Sequence, residues 1–255
     1  MSSEAMDAEF DTLASWTADV AVDLGPDYYV PAGCRGSGSP AALDWLLREL
    51  RPDAASRMLD CGAGVGGPAG YACEQTSVRP VLAEPEPGAC RASRRLFDLP
   101  VTQADAAALP FADGVFDLAW SLGVLCTTDR QSALLGELRR VVRPDGLLGL
   151  LVFVASTDHL PDEPEGNEFP TADSLHAMLD GAGLRVVAST ALGALDAPPA
   201  QWRSRTAAVE AELEARHHGD AAWRISQEQQ DALQGLFGSG RVRGQLLSLR
   251  RTDVE

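Results

Sequence analysis

The chain has 255 residues, with 37 acidic and 21 basic side chains and a formal charge of −16. That balance excludes non-specific binding to nucleic-acid phosphates and argues against adsorption to an anionic membrane. Every basic residue is Arg, and the absence of Lys removes Schiff-base chemistry and a Walker-type phosphate clamp.

The N-terminus, MSSEAMDAEFD, is acidic where a signal peptide would be basic and then apolar. No run approaches the roughly 20 apolar residues of a membrane span, so a cytoplasmic protein is expected. Residues 1–45 read as an acidic helical cap. It is broken at Gly25-Pro26-Asp27-Tyr28-Tyr29 and over the Gly- and Ser-rich stretch from Gly33 to Pro40. From about Ser56 short apolar runs alternate with helical stretches, the pattern of repeated βα units and a mainly parallel sheet, so one α/β domain is expected over 46–255. Arg57 to Asp60 is the first strand, followed by a Gly-rich turn and a helix through about Cys73. Val81 to Glu84 is the second, followed by a helix through about Phe97. Pro100 to Thr102 and Val115 to Ser121 give the third and fourth.

Leu134, Leu135, Leu138, Val141 and Val142 then recur at helical spacing. Thr128 and Gln131 are spaced as a capping box, and Arg139, Arg140 and Arg143 sit where a helix C-terminus favours cations. Pro144-Asp145-Gly146 turns the chain into Leu147 to Val154, a continuous apolar run suited to a strand buried on both faces. After a polar loop from Ser156 to Pro170, Leu175, Met178 and Leu179 mark a helix that Gly183 closes, and Leu184 to Leu192 is a sixth strand. Residues 198–238 are helical and charged, and Val242 to Leu249 makes a last strand. The five cysteines (Cys34, Cys61, Cys73, Cys90, Cys126) lie far apart without a C-x-x-C pair, which points to buried reduced thiols and to no zinc site.

The segment Leu59-Asp60-Cys61-Gly62-Ala63-Gly64-Val65-Gly66-Gly67-Pro68 follows a strand and precedes a helix. Glycines suit it because a tight strand-to-helix turn uses positive φ and because a ligand must approach bare backbone. Pro68 fits the first helical turn, and exposed N–H groups at that helix start would hold a carboxylate or phosphate. Gly62, Gly64 and Gly67 also satisfy the dinucleotide pattern G-x-G-x-x-G, so the turn alone equally fits a nicotinamide-dependent reductase. Glu84, at the end of the second strand, can take ribose hydroxyls in either case.

What accompanies the turn separates the two. Asp60 stands two residues before the first glycine. Ala104-Asp105-Ala106-Ala107-Ala108-Leu109-Pro110-Phe111, Phe116-Asp117-Leu118-Ala119-Trp120 and Leu138-Arg139-Arg140-Val141-Val142-Arg143-Pro144-Asp145-Gly146 follow in order. This series resembles the class I S-adenosylmethionine-dependent methyltransferases, over roughly residues 45–195. Gly66-Gly67-Pro68 is similar to the members acting on small molecules such as sterols, tocopherols and microbial natural products.

The resemblance implies a Rossmann-like, doubly wound seven-stranded sheet with an N-terminal helical cap and a helical lid inserted at 198–238 between the last two strands. It implies S-adenosylmethionine as cofactor, S-adenosylhomocysteine as product and methyl transfer to a small metabolite. Residue by residue, the Gly62 to Gly66 loop would pass under the methionine part, with N–H groups near Cys61 and Ala63 meeting its carboxylate. Asp60 would orient that loop and the surroundings of the ammonium. Glu84, followed by Pro85, would accept both ribose hydroxyls. Asp105 would take the adenine amino group beside the Ala106 backbone, and Ser121, Leu122 and Gly123 would lie beneath the sulfonium. Each acid also has a structural alternative: Asp60 and Asp105 as helix caps, Glu84 as a strand-end acid, Asp117 as either.

Many O-methyltransferases of this kind keep a His after the fourth strand, where this chain reads Gly123-Val124-Leu125-Cys126-Thr127-Thr128. His159, beside Asp158 and after the fifth strand, is the candidate general base. His176 reads as a surface residue and His217-His218 as compensating a helix dipole. Trp16, Tyr28, Tyr29, Trp202 and Trp223 are candidates to close an apolar chamber over the methyl group. A methyltransferase fold used as a cyclase or as a non-methylating cofactor-binding protein is the alternative that keeps the cofactor. Nothing in the sequence selects between monomer and homodimer.

Overall fold

The fold is described from a computed structural model covering residues 3–252 except 159, 161, 162 and 165. Seven strands form one sheet: β1 (Met58–Cys61), β2 (Val81–Glu84), β3 (Val101–Gln103), β4 (Phe116–Leu122), β5 (Val142–Ala155), β6 (Leu184–Ala191) and β7 (Val242–Arg251). Their order is β3-β2-β1-β4-β5-β7-β6. All neighbours are parallel except β7, which runs antiparallel between β5 and β6. Dinucleotide-binding sheets have the order 3-2-1-4-5-6 and no such reversed strand, so the reductase reading loses its support here.

Period-two alternation divides the sheet's side chains between two cores. Leu59, Cys61, Ala119, Leu148 and Leu150 meet α6 (Gln131–Val141) and α7 (Ala172–Gly181). Met58, Trp120, Leu122 and Leu151 meet α3 (Pro40–Leu50), whose Leu43, Leu46, Leu47 and Leu50 are buried. The remaining flanking helices, α4 (Gly67–Thr76) and α5 (Pro87–Phe97), cover β2 and β3 through Ala69, Cys90, Leu82 and Val101. Such burial, at roughly 1.5–3 kcal/mol for a fully buried aliphatic side chain, is the main force holding the layers.

Two helical pairs lie outside the sandwich. The N-terminal one is α1 (Ser3–Leu24) and α2 (Tyr29–Gly33); the other, inserted between β6 and β7, is α8 (Ala200–His217) and α9 (Ala221–Gly238). α1 is fastened to α5 by the Gly88 N–H donating to the Asp11 carboxylate and by Arg95 to Asp19 at 2.5 Å. α8 is fastened to the N-terminal pair by Arg216 to Asp23 and Arg205 to Asp27, both at 2.7 Å, and by Trp16 stacked on His217 at 3.7 Å.

Three local expectations fail for identifiable reasons. The capping box does not form, because the Gln131 amide donates to the carbonyls of Leu125 (2.9 Å) and Glu168 (2.7 Å). Pro144-Asp145-Gly146 does not precede the strand. β5 begins at Val142 and carries Arg143 to Gly146 as a bulge, since Phe116 pairs with Val142 but Leu118 with Leu147. Of the histidine pair, His217 faces Trp16 and Asp220 (3.0 Å) rather than the helix-end carbonyls, while His218 does meet one, with Nδ1 3.2 Å from the Glu214 carbonyl. β6 forms one edge of the sheet. Its stretch Val186 to Ala191 carries no charge, and Val186 and Val187 are 40 % and 41 % exposed.

Candidate active site

The parallel registers align the carboxyl ends of the first three strands, pairing Cys61 with Ala83 and Glu84 with Gln103, and β4 ends beside them at Leu122. The predicted site residues therefore gather along one edge, where open α/β sheets bind ligands.

Within the turn after β1 the glycines do different jobs. Gly62 has φ +74° and a Cβ there would run into Val124. Gly66 has φ +89° and packs on Phe97, Ser93 and Leu82, so it faces the core and not a ligand. Gly64 has φ +53° and nothing within 4 Å of where a Cβ would stand, so this is the residue whose backbone faces open space. At the start of α4 the chain is closely packed on one side. Gly67 is covered by the backbone of Gly33 and Cys34, close enough that a Cβ on Gly33 would lie 2.7 Å from Gly67 Cα. The Ala63 N–H is likewise turned inward, donating to the Ala83 carbonyl at 3.2 Å. Cys61 is fully buried in the core, and its thiol is pushed far up by burial and then by Asp60.

Asp60 is 1 % exposed, its Oδ2 has no hydrogen-bond partner, and burial lifts its pKa to about 7. The Glu84 charge adds to the rise. Trp120, its partner across β1 and β4, opposes it, yet the indole Nε1 also lacks a hydrogen bond of normal geometry. Asp60 is thus not capping a helix. It is a buried acid one donor short, the kind of vacancy that native interiors rarely leave.

Glu84 is 6 % exposed, and its carboxylate ties two segments together: Oε2 accepts from Gly64 N–H at 2.7 Å, Oε1 from Glu86 N–H at 3.1 Å. Burial raises its pKa, and those two N–H groups oppose the rise. Each oxygen keeps a further acceptor position. Pro85 is exposed, and its carbonyl accepts from the Gln103 amide at 3.0 Å. Asp105 lies just past β3, half-exposed, and Ala106 beside it is buried. Ser121 and Leu122 are buried at the end of β4, and the Ser121 hydroxyl also has no partner. Gly123 then turns with φ +79° against the Gly36 carbonyl. Asp117 sits at the opposite end of β4, bonded to Arg57 (3.0 Å) and Arg143 (3.0 Å), and is structural; those cations hold its pKa below the usual carboxylate range.

His159 lies outside the described residues. Cys126 is buried and its thiol is pushed up to about 12, so Gly123 to Thr128 offers no base. The aromatic chamber is not built as expected. A cavity of about 250 Å³ does lie between the N-terminal pair and α8, lined by Thr17, Cys34, Arg35, Trp202, Val209 and Leu213 among others. Of the five aromatics only Trp202 lines it. Trp16 is spent on His217, Tyr29 meets Phe97 edge-on, and Tyr28 and Trp223 pack in the cluster between the helical pairs.

Sequence reasoning missed Arg130 and Glu137, and read Arg140 only as a cation at a helix end. Arg130 pairs with Asp105, while Glu137 and Arg140 hold the backbone of Leu109 and Phe111. Their partners lie 25 to 31 residues away, so no local spacing could announce them. Among the described residues no cluster of three His, Cys, Asp or Glu side chains could hold a metal ion, and no helix is long and apolar enough to cross a membrane.

Residues 59–150 match the methyltransferase domain family. The malonyl-[acyl-carrier protein] O-methyltransferase of Enterobacter lignolyticus is 31% identical over 155 residues, 54% of this chain and 58% of that protein. The sarcosine/dimethylglycine N-methyltransferase of Halorhodospira halochloris is 30% identical over 166 residues, 62% of this chain and 57% of that protein. The chain thus spans a little over half the length of these curated relatives. Among solved structures the [4+2]-cyclase SpnF shares the fold, with a TM-score of 0.66 at 19% identity, covering 83% of this chain and 80% of that one.

Proposed function

We propose, for a chain whose residues 59–150 belong to the methyltransferase domain family and whose sheet is that of the class I S-adenosylmethionine-dependent methyltransferases, that it transfers a methyl group from S-adenosylmethionine to a small metabolite. The observation that carries this is the pairing of a buried carboxylate at Asp60, whose Oδ2 lacks a partner, with an open backbone at Gly64, whose N–H is tied to Glu84 by one hydrogen bond.

The residues present fit the group. Asp60 supplies negative charge under the loop, where an α-ammonium and a sulfonium need it. Gly64 lets the ligand lie on bare backbone, and Glu84 has acceptor positions left for two ribose hydroxyls. Asp105 and the Ala106 backbone offer an acceptor and a donor to the adenine edge. Ser121 and Leu122 form the floor at the end of β4. When bound, the group supplies an electrophilic methyl on a positively charged sulfur. The chain's part is to fix that methyl in line with an acceptor and keep water out, which is the larger share of the work in a direct displacement at carbon.

The acceptor proposed is small and carries no phosphate backbone, since no Lys is present and the net charge is −16. His159 is the proposed base for an acceptor that must lose a proton. Thermal unfolding tests the reading: S-adenosylmethionine should raise Tm by binding the folded state only, and NADH should not. The reverse pattern would overturn it.

A second reading is favoured by the stretch Gly123 to Thr128, which holds no group able to take a proton at neutral pH. There the same cofactor site supports a cyclisation without methyl loss. Formation of S-adenosylhomocysteine during turnover with the true substrate separates the two.

A further inference from the structure

Asp105 is half-exposed, with a side chain 52 % accessible, yet its carboxylate is not free to turn. Oδ1 accepts from the Ala107 N–H at 2.7 Å and Oδ2 from Arg130 Nη1 at 2.5 Å. Arg130 Nη2 also reaches the Ala107 carbonyl at 3.4 Å, so one guanidinium spans the Asp105-Ala106-Ala107 turn. The two carboxylate bonds come from different directions and fix the plane of the group. Each oxygen still has an acceptor position to offer.

Arg130 is itself set by its place just before α6, where its N–H donates to Thr128 Oγ1 at 3.0 Å. Further along α6 the rest of the loop is fastened separately. Glu137 accepts from the Leu109 N–H at 2.7 Å, and Arg140 donates to the carbonyls of Leu109 (3.0 Å) and Phe111 (2.7 Å). Removing Arg130 therefore leaves the Asp105 carboxylate hinged on the Ala107 N–H alone, with the Leu109 and Phe111 end of the loop still fastened. A planar fork is suited to orienting a carboxylate in a way a point charge is not.

We propose that Arg130 is a positioning residue that aims the Asp105 carboxylate at the exocyclic amino group of an adenine nucleoside and so makes the site prefer a 6-amino over a 6-oxo purine. The inference rests on the nucleoside reading of the site given above. A 6-amino group donates to a fixed carboxylate. A 6-oxo group turns an oxygen towards it and is repelled. A carboxylate held by the Ala107 N–H alone can swing its other oxygen away and gives up much of both effects.

Calorimetric titration of S-adenosylhomocysteine and S-inosylhomocysteine into wild type, Arg130→Ala and Arg130→Lys tests this without turnover. The wild type should prefer the adenine form by roughly tenfold or more, the scale of one charge-assisted hydrogen bond. Arg130→Ala should weaken the adenine form by roughly tenfold and the inosine form by less than about twofold. Arg130→Lys should recover only part of the preference. Because Arg130 is 50 % exposed, its loss should move Tm by no more than roughly 2 °C. Equal weakening of both nucleosides, or no weakening of either, overturns the positioning role. If the wild type binds neither nucleoside, it is the methyltransferase reading that falls.

Discussion

Asp60→Asn isolates the charge of the buried acid from its shape. In the folded chain burial removes water from the Asp60 carboxylate and pushes its pKa up to about 7, from 3.8 for a free aspartate. A raised value means that the folded state holds the proton more tightly than the unfolded state does. The stabilisation is fully present below pH 3.8 and is lost as pH rises through 7. The gap, roughly three pKa units, corresponds to about 4 kcal/mol. Asn fills the same space and has no proton to lose. Its advantage over wild type, without ligand, should grow by about 1.4 kcal/mol per pH unit from about pH 4 and level off near 4 kcal/mol above pH 7.

Urea unfolding of both proteins at several pH values between 5 and 8 measures this difference. Cofactor binding should reverse the preference, since a cation beside Asp60 favours the carboxylate. The wild type should then release a larger part of a proton on binding S-adenosylmethionine at pH 6 than at pH 8. Calorimetry in two buffers of different ionisation enthalpy reads that number, and the D60N variant should release none. A stability difference that does not change with pH would refute the burial argument. Proton release equal in both proteins would refute the cation's place.

Glu84→Ala should weaken S-adenosylmethionine binding by about 1–3 kcal/mol, and unchanged affinity in a titration would contradict the ribose role. Gly62→Ala meets both a positive φ and Val124, and should lower unfolding free energy by about 2–4 kcal/mol. Gly64→Ala meets only the φ, and should cost about 1–2 kcal/mol in stability while its methyl reduces cofactor affinity more than roughly tenfold. Melting and titration of the two variants side by side should show this contrast, and equal behaviour would mean the turn has no ligand-facing side. His159→Ala should leave cofactor affinity alone and slow turnover, with loss of the acid limb of the pH–rate profile; an unaltered profile dismisses the base.

The central strands were legible because Met58 to Cys61 and Phe116 to Leu122 are short runs, mostly apolar and buried on both faces, as a parallel sheet covered by helices requires. The acids at the strand ends were legible because parallel sheets put their sites there. Features that depend on meetings between distant segments were not. Nothing near Gly67 indicates that Gly33 will cover the helix start, and nothing near Trp16 names His217 as its partner. The capping box failed for the same reason: its Gln131 found carbonyls in two other loops.

The uncharged edge at β6 has a bearing on how the molecule behaves among its own copies. Val186 to Ala191 presents an uncharged edge interrupted only by the bulge at Val187, and at the opposite edge β3 is only three residues long. Edge strands of this type recruit further strands unless something deters them. Beside the bulge, the deterrent expected is mutual repulsion between molecules of charge −16, which reaches across a screening length of about 10 Å at 0.1 M salt but only about 3 Å at 1 M. Concentrated solutions should therefore scatter more light as sodium chloride is added. Val187→Lys should abolish that rise, and scattering that stays flat for the unaltered chain would show that the edge is protected by some other means.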